Sequence, residues 1–176
     1  MKIISGKYKG RILKGYMIDG TRPTMDRVKE SVFAMIQEYV KDSLFLDLYS
    51  GTGNIGIEAI SNGSKKAYLV DNNMVAIKTI KENISMLKID NAYVIKEDAV
   101  KSLNNFINTG IKFDIIFLDP PYDLDISKEA VKLILEYKLL NENGIIIIET
   151  DEKERELRNL KTMNVEIYDS RKYRRA

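Results

Sequence analysis

From Leu44 onwards, short apolar runs of strand length alternate with segments in which apolar residues recur at helical spacing. Five of these runs predict buried strands, at residues 44–48, 67–70, 92–95, 112–118 and 144–148. Helices are predicted between them, over residues 55–61, about 74–87, about 99–106 and about 128–137. Repeated strand–helix units predict an α/β fold, a mostly parallel sheet wound with helices on both faces. A charged helix at 152–160 and a strand at 164–169 complete the pattern.

The first forty residues follow a different pattern. Residues 2–18 place three glycines between short apolar stretches, with basic side chains among them, which predicts a small β-hairpin or arm rather than core. A helix is predicted over about residues 25–40 because apolar residues recur there at helical spacing. Thr24 is expected to be its N-cap.

Length and composition narrow the class of protein. A chain of 176 residues that is 44% hydrophobic predicts one domain over residues 1–176, made of a basic arm (1–20), an N-terminal helix (24–40) and a core (44–176). No stretch resembles a membrane span or a signal peptide, so we expect a soluble, cytoplasmic protein. The chain has no cysteine and no histidine, which excludes thiol nucleophiles, Cys/His zinc sites and a Ser-His-Asp triad. No metal is expected.

Charge is distributed unevenly along the chain. Residues 1–29 hold eight basic and two acidic side chains, residues 171–176 hold four basic ones, and the interval between them is acidic. Basic ends on an acidic body favour contact with a polyanion such as a nucleic acid. A solvated surface explains the same pattern, and charge alone does not separate the two.

A glycine-rich turn follows the first predicted strand. Residues 51–56 satisfy the spacing G-x-G-x-x-G, and Asp71 follows where a ribose-binding acid is expected, which alone would suggest NAD. Asp47 argues against a pyrophosphate, since a carboxylate repels it but attracts the ammonium of S-adenosylmethionine. Asp98-Ala99 resembles the pair that meets the adenine edge in methyltransferases. The candidate cofactor-binding residues lie at the ends of three strands: Asp47, Ser50, Gly51, Gly53, Asp71, Asn72, Asp98 and Ala99. As an alternative, Asp71 and Asp98 each cap the following helix.

The fourth predicted strand runs into Asp119-Pro120-Pro121-Tyr122, which resembles the Asp/Asn-Pro-Pro-Tyr/Phe motif of methyltransferases acting on planar amino nitrogens. The Asp119 carboxylate and the Pro120 carbonyl can accept both amino hydrogens, which localises the lone pair for attack on the sulfonium methyl. Tyr122 would stack on the base and fix its plane. We therefore assign catalytic roles to Asp119, Pro120 and Tyr122. The structural alternative is a rigid turn.

Taken together, these segments resemble the RsmD-like family of class I, S-adenosylmethionine-dependent 16S ribosomal RNA (guanine-N2)-methyltransferases. The resemblance rests on residues 6–11, on Arg22-Pro23-Thr24-Met25-Asp26-Arg27-Val28-Lys29-Glu30, on residues 46–53 and on 118–122. It implies a Rossmann-like methyltransferase fold, with 16S RNA or the small ribosomal subunit as partner. It also implies a set of substrate-binding residues: Lys7, Lys9, Arg11, Arg22, Thr24 and Arg27.

The chain departs from this family at its end. After Tyr173 it reads Arg-Arg-Ala and stops, whereas such methyltransferases continue into a last antiparallel strand, so we expect an incomplete sheet edge or a partner covering it. Three alternatives stay open: methylation of adenine N6 or cytosine N4 in DNA, methylation of protein glutamine, and a non-catalytic RNA-binding module.

Overall fold

A five-stranded parallel sheet forms the centre of the protein in the computed structural model, which describes residues 1–15, 23–120 and 126–150 together with Arg158. The strands are β1 (Leu44–Leu48), β2 (Lys66–Asp71), β3 (Ala92–Lys96), β4 (Phe113–Leu118) and β5 (Leu140–Ile148). Their spatial order is β3-β2-β1-β4-β5, so the chain winds outward in one direction from β1 and in the other from β4. The predicted α/β fold is confirmed. Ligands bind where the winding reverses in such sheets, here beside β1 and β4.

Helices cover both faces of the sheet. The helices are α1 (Pro23–Met35), α2 (Gln37–Val40), α3 (Asn54–Ser61), α4 (Met74–Leu87), α5 (Ala99–Thr109) and α6 (Ile126–Glu136). Alternate strand residues point to opposite faces, and both sets are apolar because both faces are buried. On one side Phe45 and Phe117 pack with α1, α3 and α4, and we call this the α3 face. On the other, Leu48 and Leu118 pack with α5 and α6, and we call this the α5 face.

The N-terminal helix differs from its prediction in two ways. The expected single helix is divided at Ile36, whose backbone angles (φ −100°, ψ 9°) separate α1 from α2. α1 begins at Pro23, so Thr24 lies within its first turn, and the assignment of Thr24 as N-cap is wrong. Proline suits the first helical position because its missing N–H would have no partner there.

The N-terminal segment is more deeply packed than an arm. Lys2 and Ile12 form the one antiparallel bridge of residues 1–15, as a hairpin requires, but Ile3 and Leu13 are 0% and 3% exposed in the core of the α3 face. The expectation of an arm outside the core is therefore wrong for these two side chains, whose apolar surface is removed from water by α3 and α4. Gly6 has a positive φ and its backbone lies against Ser61, where an added Cβ would be 1.9 Å from the carbonyl oxygen.

Strand β5 begins at Leu140, four residues earlier than predicted, and its register with β4 shifts between Phe113 and Ile115. The expected C-terminal helix and strand lie outside the described residues, apart from the helical Arg158, and so does the region of the expected missing strand. No helix among the described residues is long and apolar enough to cross a membrane.

Candidate active site

Asp47, on β1, is hydrogen-bonded to the glycine-rich turn and to the start of α3. Its carboxyl is 1% exposed, and its Oδ2 accepts hydrogen bonds from Ser50 Oγ (2.9 Å) and from the Gly56 N–H (3.0 Å). Burial raises the pKa of Asp47 to about 7, against the effect of these two hydrogen bonds, and Asp119 and Asp71 add to the rise. The carboxyl therefore lies within electrostatic range of the acids that end β4 and β2.

The turn after β1 has a left-handed backbone at three positions, with φ of 63° at Tyr49, 60° at Gly51 and 85° at Gly53. Such angles suit glycine, which explains two of the three residues. Tyr49 is the exception. Its hydroxyl is buried without a hydrogen-bond partner among the described residues, and burial raises its pKa to about 12.

Asp71 ties the end of β2 to this turn. Its Oδ2 accepts from the Gly51 N–H and its Oδ1 from the Asn73 N–H, both at 2.9 Å. A carboxylate offers about four acceptor sites, so two remain for hydroxyl groups of a ligand. The N-cap of α4 is Asn73, and the alternative that Asp71 is that cap is not supported. Adjacent Asn72 is exposed.

Asp98 does cap a helix. It is the N-cap of α5 and accepts a hydrogen bond from the Lys101 N–H at 3.2 Å, while Ala99 is buried beneath it. The structural alternative therefore holds for Asp98. A cap leaves acceptor capacity on the carboxylate, so the role at the adenine edge stays a prediction.

Asp119 follows β4 and is exposed, with Pro120 partly buried after it. Tyr122 lies outside the described residues. One further acid occupies this end of the sheet. Glu149 directly follows β5, and its N–H donates to the Leu118 carbonyl at 2.9 Å. Burial, and then the Asp119 carboxylate, raises the pKa of Glu149 to about 7. Sequence reasoning missed Glu149, although an acid after the apolar run at 145–148 repeats the pattern seen at Asp71 and Asp119.

The predicted substrate-binding residues are partly described. Lys7, Lys9 and Arg11 are exposed on the N-terminal segment, and Arg27 is exposed on α1. Arg22 and the side chain of Thr24 lie outside the described residues. No group of three or more acids in the described part of the chain is arranged to hold a metal ion.

Comparison with known proteins now identifies the family. The family model described as Conserved hypothetical protein 95, which represents the RsmD family, matches residues 1–176. The chain belongs to the RsmD family. The resemblance drawn from the sequence motifs is thereby confirmed.

Relatives of this RsmD family member agree with that assignment. The Haemophilus influenzae protein named Ribosomal RNA small subunit methyltransferase D is 35% identical over 153 residues, covering 86% of this chain and 79% of its own. The solved structure of yhhF from Escherichia coli superposes with a TM-score of 0.76 at 30% identity, covering 84% of this chain and 79% of that one. A SAM-dependent methyltransferase from Agrobacterium tumefaciens has a TM-score of 0.61 at 21% identity, covering 76% of this chain and 46% of that one, and shares the fold.

The family member also contains a buried ion pair that sequence reasoning missed. Lys29 Nζ lies 2.9 Å from Glu58 Oε1, and both side chains are 0% exposed. The same ammonium donates to the Lys2 carbonyl (2.6 Å) and to Asn54 Oδ1 (2.7 Å). Glu58 also accepts from the Ile4 and Ser5 N–H groups. This cluster, which we call the Lys29 network, joins α1, the N-terminal segment and the first turn of α3. Glu58 lies between Ile57 and Ala59 in an otherwise uncharged helix, which is a signal that could have revealed its burial, whereas Lys29 lies among the charged residues of α1 and carries no such signal.

Proposed function

We propose that the protein is an enzyme that transfers the methyl group of S-adenosylmethionine to the exocyclic N2 of a guanine in 16S ribosomal RNA of the small subunit. The observation that carries the proposal is the convergence of Asp47, Asp71 and Asp119 at the carboxyl edge of the adjacent strands β2, β1 and β4, where Asp119 and Asp71 add to the rise that burial causes in the pKa of Asp47. The part of this edge formed by β1 and β2 has the chemistry to bind the methyl donor. The part formed by β4 has the chemistry to bind the amino group of the base.

The end formed by β1 and β2 fits the donor, which supplies an electrophilic methyl group when bound. Asp71 has acceptor sites left for the two ribose hydroxyls after bonding Gly51 and Asn73. Asp47 is almost fully buried, so it would contact little of the donor. Its carboxylate would still attract the donor's ammonium group, directly or through a water molecule. Asp98 and Ala99 would face the adenine edge.

The end formed by β4 fits a planar amine. Asp119 accepts a hydrogen bond from the amino group, with the Pro120 carbonyl as the second acceptor, and this favours a pyramidal nitrogen whose lone pair is free to attack. Tyr122 stacks on the base. The amine loses its proton after methyl transfer, so the mechanism requires no histidine.

RNA contact is assigned to the basic surface. Lys7, Lys9 and Arg11 are exposed on one short segment, and flexible cations on such a segment suit phosphates without reading sequence. Arg22, Thr24 and Arg27 would border the guanine pocket. The relatives named as small-subunit ribosomal RNA methyltransferases support the choice of RNA, and guanine N2 is the finer part of the proposal.

The proposal is tested by radiolabelled methyl transfer from S-adenosylmethionine to small subunits that lack the modification, followed by mass spectrometry of the nucleosides. We expect N2-methylguanosine. Asp119→Ala should abolish it, and Glu142→Ala, an exposed acid on β5, should not. A methylated adenine, cytosine or glutamine would replace the proposed substrate, and RNA binding without any transfer would indicate a non-catalytic module.

A further inference from the structure

Glu149 and Asp119 are neighbours in the sheet, although thirty positions separate them in sequence. β4 and β5 run parallel, with Leu118 paired to Ile148, and the ladder continues one step through the hydrogen bond from the Glu149 N–H to the Leu118 carbonyl. Adjacent strands lie about 4.8 Å apart. The two acids therefore follow neighbouring strands at matching positions.

Both acids belong to the α3 face. Phe117 and Ile147 are paired in register and pack on that face, and side chains two residues apart on a strand share a face. Asp119 and Glu149 each follow their strand by one residue, and the same alternation assigns both to the α3 face. Asp47 is paired with Phe117, so it also lies on this side. Asp119 acts electrostatically on both Asp47 and Glu149.

The hydrogen-bonding pattern of guanine matches two neighbouring acceptors. Its N1–H and its N2 amino group are adjacent donors on one edge, whereas adenine presents an amino group beside an N1 lone pair. A carboxylate can only accept when ionised, so it attracts the first pattern and repels the second. One acceptor for the amino group is already assigned to Asp119. The adjacent donor requires a second.

We propose that Glu149 is a specificity-determining residue that accepts a hydrogen bond from the guanine N1–H while Asp119 holds the N2 amino group. The inference rests on the proposed function and assigns Glu149 a role in choosing the base, with no part in bond making or breaking. Above the raised pKa of about 7 the Glu149 carboxyl is ionised, so at pH 8 a base that lacks the N1–H would leave the charge of this partly buried group without compensation.

The test combines a change in the enzyme with a change in the base. Two RNA substrates carry either guanosine or 2-aminopurine at the target position, since 2-aminopurine keeps the amino group and lacks the N1–H. We expect the unaltered enzyme to prefer guanosine in kcat/KM by about 10- to 100-fold, the range for a hydrogen bond to a charged group. Glu149→Ala should reduce this preference to within a few-fold. Glu142→Ala, an exposed acid on the same strand, should keep it.

Glu149→Gln serves if the alanine variant does not fold, as judged by circular dichroism and binding of S-adenosylmethionine. A neutral amide accepts more weakly than a carboxylate, and its NH₂ can meet the N1 lone pair, so the preference should again fall. Equal loss of activity on both RNAs in either variant, with the preference unchanged, would overturn the role of Glu149 and leave guanine methylation intact. If the unaltered enzyme methylated another base, both proposals would fall.

Discussion

The two halves of the candidate active site are built differently. At the donor end, formed by β1 and β2, Asp47 and Asp71 accept hydrogen bonds from the turn that follows β1. At the acceptor end, Asp119 and Glu149 directly follow the neighbouring strands β4 and β5, and burial, together with the Asp119 carboxylate, raises the pKa of Glu149. At the donor end, backbone N–H groups thus hold the two carboxyl groups in place. The acceptor end concentrates negative charge that a base with N–H donors can neutralise.

The largest effect should come from the Lys29 network, which joins α1 to Asn54 and Glu58 on α3, the helix that follows the glycine-rich turn of the donor end. Lys29→Met leaves Glu58 charged and buried, so we expect the free energy of unfolding to fall by about 3–5 kcal/mol. The matched control is Lys14→Met, which breaks an exposed pair with Glu82 and should cost about 0–1 kcal/mol. Urea denaturation measures both. If the two variants lost similar amounts of unfolding free energy, the Lys29 network would contribute no more to stability than an exposed ion pair.

A double variant separates charge from packing in that network. Lys29→Met combined with Glu58→Leu removes both charges and should recover part of the lost stability, since an apolar pair needs no compensation for desolvation. No recovery would assign the effect to the hydrogen bonds that Glu58 accepts from Ile4 and Ser5.

The same substitution at both ends should have different effects. Asp119→Asn should lower kcat by about 10²–10³-fold, the loss typical for one electrostatic partner of a transition state, with little change in the Kd of S-adenosylmethionine. Asp71→Asn cannot accept on both atoms, so the turn loses a bond from Gly51 or Asn73 and the donor Kd should rise about 10-fold. Calorimetry and single-turnover rates measure the two quantities. If both variants changed the same quantity, the division of the site into two ends would be wrong.

Donor binding should depend on pH through Asp47. Its pKa of about 7 in the folded protein exceeds the usual value of about 3.9, so the folded chain retains a proton that the unfolded chain releases between these values. The Asp47 contribution to stability therefore falls as pH rises from about 4 to about 7. An ammonium favours the ionised form, so donor affinity should rise between pH 6 and 8 and binding should release a proton. Asp47→Asn should make donor affinity independent of pH over this range, and calorimetry in two buffers of different ionisation heat tests this.

The smallest effect concerns the basic segment. Lys9→Ala and Arg11→Ala should each weaken RNA binding a few-fold and reduce the slope of log K against log salt by about 0.7–0.9. Lys112→Ala is the control, an exposed lysine at the amino end of β4, at the opposite edge of the sheet from the candidate site. An equal effect of Lys112→Ala would indicate nonspecific attraction.

The features that could be predicted from the sequence are those determined by residues close together in the chain. Strands β1, β2 and β4 were found because their mostly buried apolar runs leave a continuous signal, and β3, an edge strand, was found from its short apolar run. Asp71 was found because its spacing from Gly51 is fixed by one strand–turn–helix unit. The start of β5 was missed because Leu140 and Gly144 belong to one strand despite a glycine and three polar residues between its apolar ends.

Contacts between distant segments were beyond the same reasoning. The burial of Ile3 and Leu13 depends on α3 and α4, and no pattern within residues 1–15 distinguishes a packed segment from a projecting arm. The Lys29–Glu58 pair joins α1 and α3, which are separated in sequence by α2 and β1 and meet only in the folded protein. Glu149 could have been recognised as an acid that follows a strand. Its position beside Asp119 depends on β4 and β5 being neighbours in the sheet, which cannot be read from the sequence.

The Lys29 network also has a consequence for folding during synthesis. The N–H groups of Ile4 and Ser5 bond to Glu58, 54 and 53 positions later, so these two amides lack that partner until α3 has left the ribosome, although residues 1–15 also form hydrogen bonds among themselves. Closing a loop of that length carries an entropy cost that is recovered only when the sheet and α3 have formed. The N-terminal segment should therefore dock late, and hydrogen exchange on refolding chains should find its amides protected after those of β1 and β4.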